Sequence, residues 1–474
     1  MDYKWTVLSV TTVGVLMSGI DSRILIIGLP QIASAMHADT EQAVWFTQGY
    51  ALASTIMLLL IGRVTDIFGR LKLYLIGFAT FTICSLLTGL SQSPNQIIIF
   101  RIMQGLGSSI IWSNSIAMIT DSTPRKELGF SLGVNAIAYN LGSVLGLTVS
   151  GLILFFLDWR FLFYINVPIG IFGIAWARFR LREVAKTERG APVDWAGFAA
   201  FVLSISAFLL ALTYAAYGIG EEATVTLLLA LSGVAMVAFV WHERRASSPL
   251  LDLKLLRVKE FGSSVVALLV NVMAFSSLAL LLSLYFQLVL GLSPLEAGLR
   301  LLPLDITTVL AAPLSGRLSD KFGQTPFIVG GLGLVSVATF LFSTVDASTP
   351  YSIIAAYMVL LGSSISVFLA PNASFGMKAV PAERRGVAAS VRSTFWNVGL
   401  TVSLNLVLWI MTLSVPYSVI NAVISTISAV GTPVTNRTLF TNGLKAAYIW
   451  LAALNAVAII PSILGSARTK SSST

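Results

Sequence analysis

Long apolar runs separated by short polar breaks fill almost the whole chain. A membrane-spanning helix needs about 20 mostly apolar residues, roughly 17–25 before tilt. Fourteen stretches satisfy this, near 5–30, 43–61, 73–91, 95–120, 129–157, 161–178, 195–218, 223–241, 261–290, 299–316, 325–345, 351–371, 387–413 and 443–465. The polar break Asp158-Trp159-Arg160 separates the fifth from the sixth. Connections are short except 414–442, a Ser/Thr/Val-rich segment whose apolar middle is too short and too polar to span. The first stretch, from Trp5, is longer than a signal-peptide core and lacks a clear cleavage site, so it is expected to persist as the first span. The pattern predicts an all-α integral membrane protein with fourteen transmembrane helices.

Composition agrees. The 474 residues are 56% hydrophobic and 11% charged, whereas a soluble domain carries about 25% charged residues. The net charge of +9 does not point to nucleic acid, because the basic residues are spread through short loops between apolar runs. One alternate set of loops carries Arg63, Arg70 and Lys72, Arg125 and Lys126, Arg178 through Arg189, Arg244 through Lys259, Arg317 and Lys321, and Lys378, Arg384 and Arg385. The other set has Arg160 and Arg437, with Arg300 and Lys445 at helix ends. Cytoplasmic loops keep the positive excess, which places the first set and both termini inside. Cys84 is the single cysteine and lies in an apolar run, so no disulfide or thiolate metal site is expected within the chain. No phosphate-binding loop, H-E-x-x-H or aspartate cluster is present. A non-enzymatic protein without cofactor or metal is expected.

The loop after the second span reads Gly62-Arg63-Val64-Thr65-Asp66-Ile67-Phe68-Gly69-Arg70, and that after the tenth reads Gly316-Arg317-Leu318-Ser319-Asp320-Lys321-Phe322-Gly323. The pattern G-R-x-[ST]-D-x-F-G thus recurs 254 residues on. A weaker echo links Pro124-Arg125-Lys126-Glu127-Leu128-Gly129 to Pro381-Ala382-Glu383-Arg384-Arg385-Gly386. Two six-helix bundles are expected, at 1–180 and 259–474, with two inserted helices in 181–258. Within the loop, glycines permit a turn or close approach, and the charges pair with neighbours, cap helices or reach lipid phosphate.

At these residues the chain resembles the major facilitator superfamily, and within it the fourteen-helix drug:proton antiporters, a family of multidrug efflux transporters. The loop motif is matched by Gly62, Arg63, Asp66, Gly69 and Arg70, and the fourth-span motif R-x-x-Q-G-x-G by Arg101, Gln104, Gly105 and Gly107. The first-span motif is matched from Ile20-Asp21 to Leu29-Pro30, with Arg23 and Ile26 where the family has Thr and Asn. Further matches include Trp45, Tyr50, Trp159-Arg160, Ile165 through Gly170, Asp194 through Gly197, Pro249 through Leu253 and Tyr285-Phe286-Gln287. The span-5 antiporter motif keeps Gly146 and Gly151 without its proline, and Gly142 adds a third site for close packing. The resemblance implies proton-coupled, alternating-access export of small molecules across the plasma membrane by a functional monomer, conferring drug resistance. It also implies conformational gating by the residues of both loop copies and by Gly142, Gly146 and Gly151.

Intramembrane charges mark functional candidates, since each is costly in hydrocarbon. Apart from Arg178 and Lys445 at helix ends, only Asp21, Arg23, Arg101, Arg300, Asp305 and Arg392 fall within the spans. Asp21 and Arg23, two residues apart, point about 200° away from one another. Spans 1 and 4 line the cavity of the resembling fold, so Asp21 is expected to pair with Arg101 and to carry the proton. Asp305, as a lone carboxylate, would favour amphipathic cations. Arg23, Gln104, Tyr139, Asn140, Tyr285, Gln287, Trp396 and Asn397 are its companion substrate-binding candidates. Arg300 is expected at the interface, and Arg392 is expected to snorkel to cytoplasmic phosphates. Two other functions stay open: proton-coupled transport of one metabolite, lipid or osmolyte, with its range narrowed by Arg23, and a non-transporting receptor or assembly factor.

Overall fold

The computed structural model describes residues 3–124, 127–183, 193–217, 222–246, 249–381, 384–416 and 434–466. The side chains of Gly62, Arg63, Asp66 and Asn140, all named above as site candidates, lie outside those described. No strand occurs among the described residues. The long helices are α1 Tyr3–Ala35, α2 Thr40–Phe68, α3 Arg70–Gly89, α4 Pro94–Ser122, α5 Leu128–Phe156, α6 Phe161–Arg180, α7 Trp195–Tyr217 and α8 Glu222–Glu243. They continue with α9 Lys259–Val289, α10 Pro294–Phe322, α11 Gln324–Thr344, α12 Tyr351–Lys378, α13 Arg385–Thr412 and α14 Thr438–Gly465. A helix closes its own backbone hydrogen bonds, which an apolar run in lipid must do.

Thirteen of these helices are long and apolar enough to cross a membrane. The remaining one, α4, has the length, at 29 residues, but Arg101, Gln104 and Asn114 lower its hydropathy. It packs against α2 and α3. The helix that carries α14 begins at Val434, four residues before the apolar span and ahead of the expected 443, because Asn442 and Lys445 mask its first turns in an apolar reading.

The chain divides into two compact units, one built on Met1–Val202 with Ser293–Leu299, the other on Leu203–Leu292, Arg300–Val423 and the residues from Val430. In the first, α1 and α5 meet backbone to backbone. A Cβ on Gly142 would stand 2.3 Å from the Leu16 carbonyl oxygen, one on Gly146 2.5 Å from that of Ile20, and one on Gly19 2.4 Å from that of Tyr139. Such small residues let helices associate where lipid removes the usual hydrophobic drive. Gly151 faces the Leu295 backbone within the same unit. Lacking the motif's proline, α5 runs unbroken through Leu147.

The repeat extends from sequence to packing. A Cβ on Gly105 of α4 would meet the Tyr50 carbonyl of α2 at 2.3 Å, and one on Gly362 of α12 would meet the Leu304 carbonyl of α10 at 2.3 Å. Leu304 follows Tyr50 by 254 residues, the interval of the loop repeat. Gly77 and Gly331, also 254 apart, carry α3 against α4 and α11 against α12.

The loop glycines share one backbone conformation. Gly69 has φ 94° and ψ 145°, and Gly323 has φ 92° and ψ 148°. Each is the single residue between two helices, in a region open essentially only to glycine. After Gly69, Arg70 Nη1 donates to the Ala117 carbonyl at 2.7 Å and pairs with Asp121 at the end of α4. The Glu183 carboxylate accepts from the backbone N–H groups of Arg70 and Leu71 at 3.1 and 3.0 Å, capping α3. In the second copy Gln324 takes Arg70's place and donates to Ser374 of α12 at 2.7 Å. There Asp320 pairs with Lys378 at 2.9 Å, and Arg317 is exposed. Gly316 departs from the expectation of close approach: it lies inside α10 with open space around its Cα.

Candidate functional site

The fourth-span motif places a charge in a buried position. In R-x-x-Q-G-x-G, Gly105 brings α4 onto α2 at Tyr50, and Gly107 brings it onto α3, where a Cβ would lie 2.7 Å from the Phe81 nitrogen. Arg101 and Gln104, one turn earlier, are thereby pressed toward α1. Arg101 is 2% exposed and Asp21 fully buried. Arg101 Nη1 donates to Asp21 Oδ2 at 2.7 Å and to Gln104 Oε1 at 2.8 Å, and its Nε donates to the Phe46 carbonyl at 3.0 Å. Its guanidinium carbon lies 4.3 Å from the centre of the Tyr50 ring, a cation–π contact strengthened by desolvation.

Asp21 Oδ1 accepts from Gln104 Nε2 at 3.0 Å and from Asn166 Nδ2 at 2.9 Å. Asn166, at the second turn of α6, also donates to Ser85 of α3 at 3.1 Å. A single carboxylate thus ties α1 to α4 and α6. Burying an ion pair is tolerable only when such hydrogen bonds fill the remaining valences. The expected pairing of Asp21 with Arg101 is present. Gln104, expected to touch substrate, instead has its amide committed to that pair. Asn166, Tyr50 and Ser85 were not singled out as site residues from sequence; a lone Asn within the sixth apolar run was the available signal.

The other candidates scatter. Arg23 is half-buried on α1, and its Nη1 is buried with no hydrogen-bond partner among the described residues. The Tyr139 ring stacks edge-on against Trp112 at 5.0 Å. In the second unit, Tyr285 and Gln287 share a π-helical turn, Tyr285–Val289, a feature frequent at functional sites. Tyr285 is buried and its hydroxyl is already committed, donating to the Asp346 carbonyl at 2.7 Å. Two donors from Ser348 hold the Asp346 carboxyl below the usual carboxylate range. Gln287 donates to Ser283 at 2.9 Å, Asn397 to the Ser393 carbonyl at 2.9 Å, and Trp396 packs on Phe275 at 6.0 Å. Asp305 is 9% exposed and is not without a partner, against the expectation of a lone carboxylate. Arg300 lies 5.1 Å from the Tyr351 ring centre. Arg392 departs from the snorkelling expectation, since its Nη1 is buried and lacks a hydrogen-bond partner among the described residues.

The sequence profile of the Major Facilitator Superfamily matches residues 11–404. The chain belongs to the major facilitator superfamily. This major facilitator is 29% identical over 398 residues to the tetracenomycin C resistance and export protein of Streptomyces glaucescens, covering 83% of this chain and 73% of that protein. It is 28% identical to the multidrug resistance protein Stp of Mycobacterium tuberculosis strain CDC 1551, over 83% and 73% of the two chains. It is 27% identical to the riboflavin transporter RibZ of Clostridioides difficile, over 84% and 86%. Its fold matches a bacterial homologue of the human lysosomal transporter Spinster, inward-facing and unoccupied, with a TM-score of 0.67, 16% identity and coverage of 98% and 97%. The protein is a multi-pass membrane transporter of small molecules and not an enzyme.

Proposed function

We propose that this major facilitator exports small amphipathic compounds in exchange for protons, with Asp21 as the proton carrier and Arg101 as its partner. The observation that supports this reading is the buried Asp21–Arg101 pair at 2.7 Å. Protonation of Asp21 would cancel the charge that holds Arg101. The guanidinium would still keep the Phe46 carbonyl, the Gln104 oxygen and the Tyr50 face, so the pair can open without leaving a bare cation. α1 would then be freer to shift against α4, the kind of bistable contact alternating access requires. Relatives named as a tetracenomycin C resistance and export protein and as a multidrug resistance protein support the outward direction.

On this reading the loop charges place both termini in the cytoplasm and the protein in the plasma membrane, with residues 1–180 and 259–474 as the moving bundles around an inserted pair of helices. The paired loops around Gly69 and Gly323, with the α1–α5 glycine seam, would act as its gating elements. A preference for cations would need a free carboxylate, and Asp305 is engaged. A second reading, transport of one defined metabolite, is favoured by the similarity to a riboflavin transporter. Proteoliposomes with an imposed pH gradient test both: a multispecific exporter moves several unrelated amphipaths, a dedicated transporter moves one. Full gradient-driven transport by Asp21→Asn would refute the coupling role.

A further inference from the structure

Arg23, Arg101 and Arg392 lie well inside the spans, with Asp21 and Asp305 as the carboxylates there. Asp21 is spent on Arg101. Asp305, in the second unit, can answer one further arginine at most. Among the described residues Arg23 and Arg392 each keep a buried Nη1 with no hydrogen-bond partner.

Arg23 is the better placed of the two. It follows Gly19 by four residues and Ile20 by three, on the stripe of α1 that lies against α5, and it points away from Asp21. It is 12 residues from the end of α1 at Ala35, about 18 Å at 1.5 Å per residue. A guanidinium nitrogen buried without a hydrogen-bond partner is costly and calls for an acceptor, best an anionic one. Its planar fork fits carboxylate, sulfonate and phosphate oxygens two at a time.

We propose that Arg23 is the specificity-determining residue and binds the acidic group of the transported molecule, an amphipathic organic anion. This rests on the exporter reading for the word transported, but its test is one of binding. Purified protein is titrated with naphthalene-2-carboxylate, naphthalene-2-sulfonate and 2-naphthyl phosphate, with 2-naphthyltrimethylammonium as the matched cation, and the unfolding temperature is followed. Ligand binding to the folded state alone raises that temperature saturably. At least one anion is expected to bind tenfold or more tightly than the cation. Arg23→Gln should weaken it at least tenfold, while Arg23→Lys retains part of the affinity. Equal binding of cation and anions, or undiminished anion binding by Arg23→Gln, overturns the inference. So does an equal response to inorganic phosphate or chloride, which would make the site one for small ions. Should Arg23→Gln fail to fold, the wild-type ranking of anions against cation decides. Anion binding that persists in a protein unable to run on a pH gradient would sink the antiporter reading and leave Arg23's role standing.

Discussion

Arg101 Nη1 reaches Asp21 Oδ2 at 2.7 Å across 80 residues of chain, in a place where neither side chain touches water. Removing one partner of a buried pair costs about 3–5 kcal/mol, because the other charge is left uncompensated. Asp21→Asn is therefore expected to lower the unfolding temperature and to reduce gradient-driven transport at least tenfold. The double variant Asp21→Asn/Arg101→Gln should recover much of the stability and none of the transport. A thermal melt of all four proteins, set against vesicle flux, checks both halves; additive stability losses would show that the two residues do not interact.

Asn166 supplies the carboxylate's third hydrogen bond. Asn166→Leu removes a charge-assisted bond worth about 1.5–3 kcal/mol in stability. The expected result is a folded protein, less stable than wild type, whose flux falls several-fold. A melt indistinguishable from wild type would mean that the contact at 2.9 Å contributes nothing.

On α5, two glycines offer a controlled comparison. A Cβ at Gly142 would press the Leu16 carbonyl at 2.3 Å, whereas one at Gly133 would meet nothing within 4 Å. Gly142→Ala should force α1 and α5 apart and lose folded protein on size-exclusion chromatography. Gly133→Ala should be neutral or stabilise by roughly 0.5–1 kcal/mol through helix propensity.

Gly323 isolates backbone conformation from space. The nearest atom to a Cβ there is Pro326 Cδ at 4.0 Å, yet its φ is 92°. Gly323→Ala is expected to destabilise by about 1–3 kcal/mol from strain alone. Gly69→Ala should do the same, since both copies hold one conformation. An alanine tolerated at either site would show that the loop relaxes to another turn.

The exposed pair Lys378–Asp320, with side chains 61% and 60% accessible, should matter little. Lys378→Ala is expected to change stability by less than about 1 kcal/mol. Arg70→Ala should cost more, because Arg70 is only 20% exposed and holds both Asp121 and the Ala117 carbonyl. Chemical denaturation of the two variants side by side ranks them.

Much of this protein was legible in its sequence. Apolar run length gave the helices, because a backbone in lipid has to satisfy its own hydrogen bonds. α4 alone among the described long helices falls short of an apolar span, because it carries Arg101 and Gln104, and those same residues mark the site. The repeated G-R-x-[ST]-D-x-F-G located two turns, and the structure shows why its last glycine recurs: Gly69 and Gly323 occupy backbone angles closed to other residues. Gly316, at the start of the same motif, is under no such constraint.

The partners of polar side chains were decided elsewhere. Which amide reaches Asp21 depends on how α6 docks against α1 and α3, so Asn166 joined the site while Tyr285 and Asn397 spent their polar groups on nearby backbone. Arg23 and Asp21 differ by two residues, which sequence alone could read as opposed; that one is fully paired and the other keeps a bare nitrogen follows from helix packing. Hydropathy and spacing are local properties and survive in the linear chain. Pairing inside a membrane depends on which helix faces which, and only the folded chain sets that.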